Sequence, residues 1–489
     1  MEKFSEIILY LDNLLWSPLP MFSHIPVIGW LSPLAIILVG TGIWFTIKLN
    51  FIQCRGFKKG WNAVFGGFVK KTGKADKGGM TSFQALATAI AAQVGTGNVV
   101  GASTAIATGG PGAIFWMWIA AFFGMSTIFA EATLAQKYKK VGDDGHITGG
   151  PVYYIHEAFK GGFGRFLAVL FAILIILSLG FMGNAVQSNG IATAWNTVFN
   201  KDGNMMMVNI LGVSVPIIQP IIGLLLAIIA FLIFAGGISS IASFTEKIVP
   251  FMAFIFMIGS LIAIFTHIYW VPQIFEKIFI GAFNPQAVFG GTVGVMIKDA
   301  VSKGVARGLF SNEAGMGSTP HAHAVAKVDK PAHQGYLAII GVFIDTFIIL
   351  NLTAFVVIGS NMYDPSFSGA NLTGAALAQA GFTVGLGTIG NIFIAICLTF
   401  FAFSTVIGWY FFGQANIKYL FGAKSVTIYT IIVCVCVFLG SLQEVDVIWN
   451  MQDAFNGLMV LPNLISIIAL TKVVKKLMDE DDIKEMIHK

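Results

Sequence analysis

The chain has 489 residues, of which 56% are apolar and 11% charged, with a formal net charge of +5 and a mean hydropathy of +0.80. A soluble chain carries about 25% charged residues to cover its surface, so a water-facing exterior is excluded and an all-α integral membrane protein is expected. At one span per 20 or so apolar residues, the length accommodates roughly eleven spanning helices.

A short amphipathic helix from Phe4 to Trp16 comes first and is expected at an interface. The first residues lack the basic region and small-residue site of a cleavable signal. Spans are then expected at about 28–47, 80–108, 112–137, 163–199, 215–236, 241–266, 286–325 (interrupted), 335–359, 386–412, 425–441 and 447–471. Of the 29 Lys and Arg residues, eight fall in 48–79 and five in 137–165. Lys247, Lys327, Lys330, Lys418, Lys424 and the tail after 471 fall on the same side, while the other side receives Lys3, Lys201 and Lys277. The basic side is cytoplasmic, which puts the N-terminus outside, the C-terminus inside and the protein in the cytoplasmic membrane. The four cysteines, Cys54, Cys397, Cys434 and Cys436, have no metal-ligand or disulfide spacing. HExxH, GxSxG and Walker A signatures are absent, and no soluble basic domain offers nucleic acid a surface.

With the first span set aside, ten remain, and they divide into 80–266 and 286–471. An odd number of spans per half inserts the second half upside down, the layout of inverted-repeat transporters whose sites form at broken helices near the midplane. The organisation expected is therefore an N-terminal unit 1–79 with one extra span and a basic loop, two five-helix units, and a tail 472–489. The first span of each half carries a polar, Gly-rich interruption. These are Gln93-Val94-Gly95-Thr96-Gly97-Asn98 and Gly308-Leu309-Phe310-Ser311-Asn312-Glu313-Ala314-Gly315-Met316-Gly317.

Two glycines one residue apart weaken a helix by about 1 kcal/mol each. A helix broken at Gly95 and Gly97 bares the N–H groups of Thr96 and Gly97, which suit a carboxylate. It also releases carbonyls such as those of Ala91 and Val94, which suit a hard cation like sodium. The competing reading is a small-residue packing face. In the second break, Glu313 is an ionisable group within lipid, where such groups are costly and functional. Facing an amino group, carrying a proton and locking a gate through Arg307 are all open roles for it. Phe310 and Asn312 stand at the presumed break as a wall and a polar contact. Gln187 is a donor and acceptor for a polar solute or for a neighbouring helix. Ser404 and Thr405 are adjacent mid-span hydroxyls, either sodium ligands or helix-to-helix bonds. Thr104 and Thr108 are expected to bond back to their own helix. His321 and His323, two residues apart, are expected to be ordinary buried side chains rather than a chelating pair.

Gln93-Val94-Gly95-Thr96-Gly97-Asn98 followed by Gly109-Gly110-Pro111-Gly112, the Glu131-Ala132-Thr133-Leu134-Ala135-Gln136-Lys137-Tyr138 stretch, and Gly308 to Ser318 resemble the alanine or glycine:cation symporter family. The likeness runs from about residue 30 to 471. It implies the leucine-transporter fold, two inverted five-helix repeats with one extra helix in front. It also implies sodium-coupled import of small neutral amino acids such as alanine and glycine. The substrate carboxylate would then sit on the N–H groups of Thr96 and Gly97, enclosed by Gln187 and the stretch Phe310, Asn312 and Glu313. Sodium would take the carbonyls of Ala91, Val94 and Phe401 and the hydroxyls of Ser404 and Thr405. Phe310, Phe181 and Trp116 are candidates for bulky walls that favour small side chains. The competing classes are a proton-coupled or uncoupled exchanger and, further off, an ion channel.

Overall fold

The computed structural model describes residues 2–18, 28–66, 79–142, 145–200, 202–284, 297–442 and 445–487. The opening part of the interrupted span expected over 286–325 lies outside them. The chain is almost wholly helical, as lipid requires, because a helix satisfies its own backbone polar groups where water cannot. Among the described residues, two short antiparallel hairpins, Lys140–Val141 with Ile147–Thr148 and Met207–Ile210 with Val213–Pro216, lie between helices.

Among the described residues, seven helices are long and apolar enough to cross a membrane, and the number rises to ten if each of three bent helix pairs counts as one span. The seven include Ala113–Lys137, Gly162–Phe199, Gly237–Thr266 and Ile389–Phe421. The last begins later and runs nine residues further than expected over 386–412, and a separate helix, Gly374–Leu386, precedes it. The helix Ile297–Asn312, with Lys298, Asp299, Lys303 and Arg307, is too short and too polar for that count.

Apolar residues divide by position rather than by type. Leu224, Leu225, Ile228 and Leu232 on Ile218–Ala235, and Phe254, Ile258, Ile262 and Phe265 on Gly237–Thr266, face outward. They suit a lipid boundary, since an exposed belt of this kind would be a liability in water. The helices Ala113–Lys137 and Ile389–Phe421 are buried along most of their length.

Two groups of tightly packed helices stand out, and they meet at Ser82–Gln93, which packs on both Pro331–Val342 and Ile389–Phe421. Ala113–Lys137 lies against Ile297–Asn312 and Pro331–Val342, and Asn184–Phe199 lies against Ile389–Phe421 and Val426–Gly440. Among the described residues, three helices widen into π turns, at Gly97–Gly101, Ile176–Gly183 and Phe343–Leu350. Such turns disturb the regular ladder and cluster at functional sites. All three border the site described next.

Candidate functional site

The helix Ser82–Gln93 has a well-defined start. Thr81 Oγ1 accepts from the N–H of Gln84 at 3.1 Å and Gln84 Oε1 accepts from the N–H of Thr81 at 3.0 Å, a complete capping box. Its end is equally definite. Val94 leaves the helical region (φ −82°, ψ 86°), and the chain resumes after a 45° bend. Gly95 donates to Asn98 Oδ1 at 3.0 Å and Thr96 to Gln187 Oε1 at 3.1 Å. Any side chain at Gly95 would strike Thr405 Oγ1 and crowd Gln187 Oε1. Close approach of three elements is thus the reason for glycine here.

The carbonyl side of the same break turns to Ile389–Phe421. Thr405 Oγ1 lies 2.9 Å from Ala91 O, 3.0 Å from Phe401 O and 3.4 Å from both Ala92 O and Val94 O. Ser404 Oγ lies 2.9 Å from Phe401 O and 3.5 Å from Ala91 O. Two hydroxyl protons thus face four carbonyl oxygens. The excess of oxygen dipoles creates a negative potential, and the donors are neutral, hard and buried. That set suits a small monovalent cation rather than a transition metal.

The second break begins after Asn312. Glu313 adopts φ +58°, Gly315 +88° and Gly317 +78°, and helix returns at Pro320–Ala324. A left-handed non-glycine residue costs on the order of 1 kcal/mol or more, and it persists only where its surroundings fix it. Here they do. Trp409 Nε1 donates to Glu313 Oε1 at 2.6 Å and Ser318 Oγ to Oε2. Beside it Glu131 accepts from the N–H groups of Gly315 at 3.1 Å and Gly317 at 3.0 Å, and from Asn463 Nδ2 at 2.5 Å.

The two breaks touch. Gln93 Nε2 donates to Asn312 O at 2.7 Å. Asp345, fully buried in the π turn Phe343–Leu350, accepts from Asn98 Nδ2 at 2.6 Å, from Ser311 Oγ at 3.3 Å and from Thr346 Oγ1 at 2.9 Å. One carboxylate therefore ties the first break to the second.

A model of the sodium:alanine symporter family matches residues 19–485. The chain belongs to that family. The sodium/alanine symporter AgcS of Methanococcus maripaludis is 39% identical to it, covering 91% of this chain and 93% of that protein. The amino-acid carrier protein AlsT of Bacillus subtilis is 40% identical, covering 90% and 87%. Among solved structures the chain is similar to a manganese transporter from Eremococcus coleocola, with a TM-score of 0.46 and 17% identity over 80% of this chain and 76% of that one. The protein is a membrane transporter of the symporter type and not an enzyme.

Within this symporter the residues singled out from sequence separate into two sets. Thr96, Gly97, Gln187, Ala91, Val94, Phe401, Ser404 and Thr405 converge at the first break, where Gly97 stands against Ser311 of the second. Asn312 and Glu313 stand at the second break, but each is bonded within the protein. Asn312 Oδ1 accepts from the Ala314 N–H at 3.1 Å, and its Nδ2 reaches Thr346 Oγ1 at 3.4 Å. Phe310 is not at the break but in the last turn of the helix, its ring 6.1 Å from Trp449 with the Arg307 guanidinium 6.0 Å above it. Arg307 pairs with Asp453 at 3.5 Å rather than with Glu313. Trp116 turns to Ala282 and Phe283, and Phe181 to Tyr429, so the bulky side chain beside Glu313 is Trp409 instead. Thr104 and Thr108 bond back to Val100 O and Thr104 O, both at 2.8 Å. Asp345 and Trp409, which the sequence reading leaves unnamed, and Glu131, which it names only within a motif, also stand at the breaks. Asp345 had a readable signal, a lone acid in the middle of an apolar span.

Proposed function

We propose that this symporter imports small neutral amino acids, alanine and glycine foremost, with sodium and by alternating access. In this reading the chain has eleven spans. Two inverted five-helix units, 80–266 and 286–471, follow one extra span in the leucine-transporter arrangement, with the N-terminus outside and the C-terminus inside the cytoplasmic membrane.

The observation that carries the reading is the cluster of carbonyls of Ala91, Val94 and Phe401 with the hydroxyls of Ser404 and Thr405. It joins the first broken span to Ile389–Phe421 beside the same break that presents the Thr96 and Gly97 N–H groups. Sodium entering this cluster draws the two helices together. The substrate carboxylate takes the N–H groups of Thr96 and Gly97, with Gln187 yielding its place on Thr96. Trp409 and Glu313 close the far side, and Ser311 and Asp345 hold the two breaks in register. Sodium and amino acid each order the backbone the other needs, so each tightens the other's binding by the same factor.

The test is uptake of labelled alanine into proteoliposomes at fixed pH under an inward sodium gradient. Replacing sodium by choline abolishes uptake in this reading, and undiminished uptake overturns it. Glu313 supports a second reading, proton-coupled exchange of the same solutes, because it is a buried carboxylate held by the neutral donors Trp409 and Ser318. A pH gradient without sodium would then drive uptake.

A further inference from the structure

The short helix Pro320–Ala324 belongs mechanically to one group of helices and reaches into the other. Its approach is held by Glu131 at Gly315 and Gly317. Its far end is held by Gln136, whose Nε2 donates to the carbonyls of His323, Ala324 and Ala326. Glu131 and Gln136 both lie on Ala113–Lys137. His323 bonds Gln334 Oε1 of Pro331–Val342 at 2.7 Å. Met80, just before the first broken span, bonds Val325 O and the Lys327 N–H, each at 2.9 Å. Glu131, Gln136 and Gln334 thus lie on two helices of the same group, Ala113–Lys137 and Pro331–Val342, and Met80 leads into the first broken span.

His321 points the other way. Its ring stacks between Phe171 (centroids 6.3 Å apart, planes at 14°) and Phe412 (5.6 Å, 28°). Nε2 accepts from Asn416 Nδ2 at 2.8 Å, and Nδ1 donates to Ser318 O at 2.7 Å. Phe171 lies on Gly162–Ile175, and Phe412 and Asn416 lie on Ile389–Phe421. Gly150 admits the ring, since a Cβ there would collide with it. On one side of His321 a cavity of about 430 Å³ is lined by Lys140, Tyr153, Gln414, Lys418 and Tyr419, on the face rich in Lys and Arg. On the other side Ser318 leads directly to Glu313.

We propose that His321 is a latch closing the route between this cavity and the substrate site, and that the cavity is the mouth through which the amino acid leaves. The proposal rests on the symport reading above for what passes, but its geometry stands independently. Release separates the two groups of helices, which pulls the imidazole from between the phenyl rings and parts it from Asn416. One hydrogen bond and two ring contacts set the closed population, so their loss shifts it by about tenfold or more.

The experiment places a cysteine at buried Thr319 (Thr319→Cys) in protein whose four native cysteines are replaced, and reconstitutes it in liposomes. Labelling by a membrane-impermeant maleimide added on the basic face is followed with time. His321→Ala is expected to speed labelling about tenfold, and Asn416→Ala to speed it less. His321→Gln, which can keep one of the two hydrogen bonds, should fall between wild type and His321→Ala. Unchanged labelling in a monodisperse His321→Ala protein overturns the latch, as does acceleration only from the opposite face. Should His321→Ala fail to fold, Phe412→Leu removes one face of the stack and must also accelerate labelling for the latch to stand. Sodium-driven alanine uptake by the unlabelled parent is measured in parallel. If it fails while labelling responds as expected, the symport reading falls and the latch remains.

Discussion

The two broken spans solve one problem in opposite ways. A helix interrupted within lipid strands backbone N–H and C=O groups, each costly to leave without a partner. The first break meets this demand with neutral side chains, through Asn98 and Gln187 on its N–H groups and Ser404 and Thr405 on its carbonyls. The second uses carboxyl groups, with Glu131 holding two N–H groups and Glu313 itself held by Trp409 and Ser318. Neutral partners are weaker and exchangeable, so a cation or a carboxylate can replace them. A built-in carboxylate is not displaced by a substrate carboxylate. In the proposed sodium-coupled reading the first break therefore takes the ligands, while the second is held by the protein's own groups.

The largest effect that tests this contrast is expected at Glu131. Glu131→Ala strands two buried N–H groups, those of Gly315 and Gly317, and leaves Asn463 Nδ2 only its bond to Gly315 O, at about 1–3 kcal/mol for the loss of each buried partner. Thermal unfolding in detergent should show a loss on the order of 3 kcal/mol or more together with loss of uptake, while Glu131→Gln keeps an acceptor and loses less. A destabilisation by Thr405→Val as large as that by Glu131→Ala would erase the distinction between the breaks. Thr405→Val is instead expected to raise the sodium concentration for half-maximal uptake roughly tenfold, the equivalent of about 1.4 kcal/mol, with little change in the rate at saturation. An unchanged sodium dependence removes Thr405 from the cation cluster. Gly95→Ala should weaken sodium and alanine dependence together, each by several-fold, because its Cβ would displace both Thr405 Oγ1 and Gln187 Oε1; an effect on sodium alone would separate the two sites.

The smallest effect lies away from both breaks, at Asp481 on the C-terminal helix. Its carboxylate, 1% exposed, meets Lys330 at 2.6 Å, His333 at 3.4 Å and Lys59 at 3.5 Å. Burial by itself raises its pKa, but the hydrogen bonds and charges of His333 and Lys330 outweigh burial and hold the group well below the ordinary 3.8. A depressed carboxylate stabilises the folded state at all pH above that ordinary value, and the contribution fades as pH falls through the lower folded value. Asp481→Asn should thus cost about 1 kcal/mol or less at pH 7, because its cationic partners are partly exposed. The difference from wild type should shrink in high salt and below pH 3.8. A cost unchanged by salt and pH would mean packing rather than charge.

Much of the site was legible because glycine and polar residues in an apolar run have few other uses. Gly95, Gly97 and the run from Asn312 to Gly317 announced both interruptions, and Ala91 and Val94 followed from the first. Roles assigned by side-chain size were less legible. Phe310, Phe181 and Trp116 are three of 54 Phe and Trp residues, and nothing local tells a ring at the site from a ring in the core. Trp409 earns its place by meeting Glu313 across 96 positions of sequence. Asp345 was visible as a lone acid, yet its bonds to Asn98 and Ser311 span 247 and 34 positions.

Composition and local pattern alone determined that the chain lives in lipid, that it is helical, and that two of its helices must break where glycine and polar residues interrupt them. These are properties of single segments, set by hydration and by backbone freedom. Only the tertiary structure decided which freed groups serve one another and which remain exchangeable. It gave Glu131 to the second break, Thr405 to the first and His321 to the far group of helices. Those assignments depend on distances between residues up to hundreds of positions apart, which no local pattern encodes.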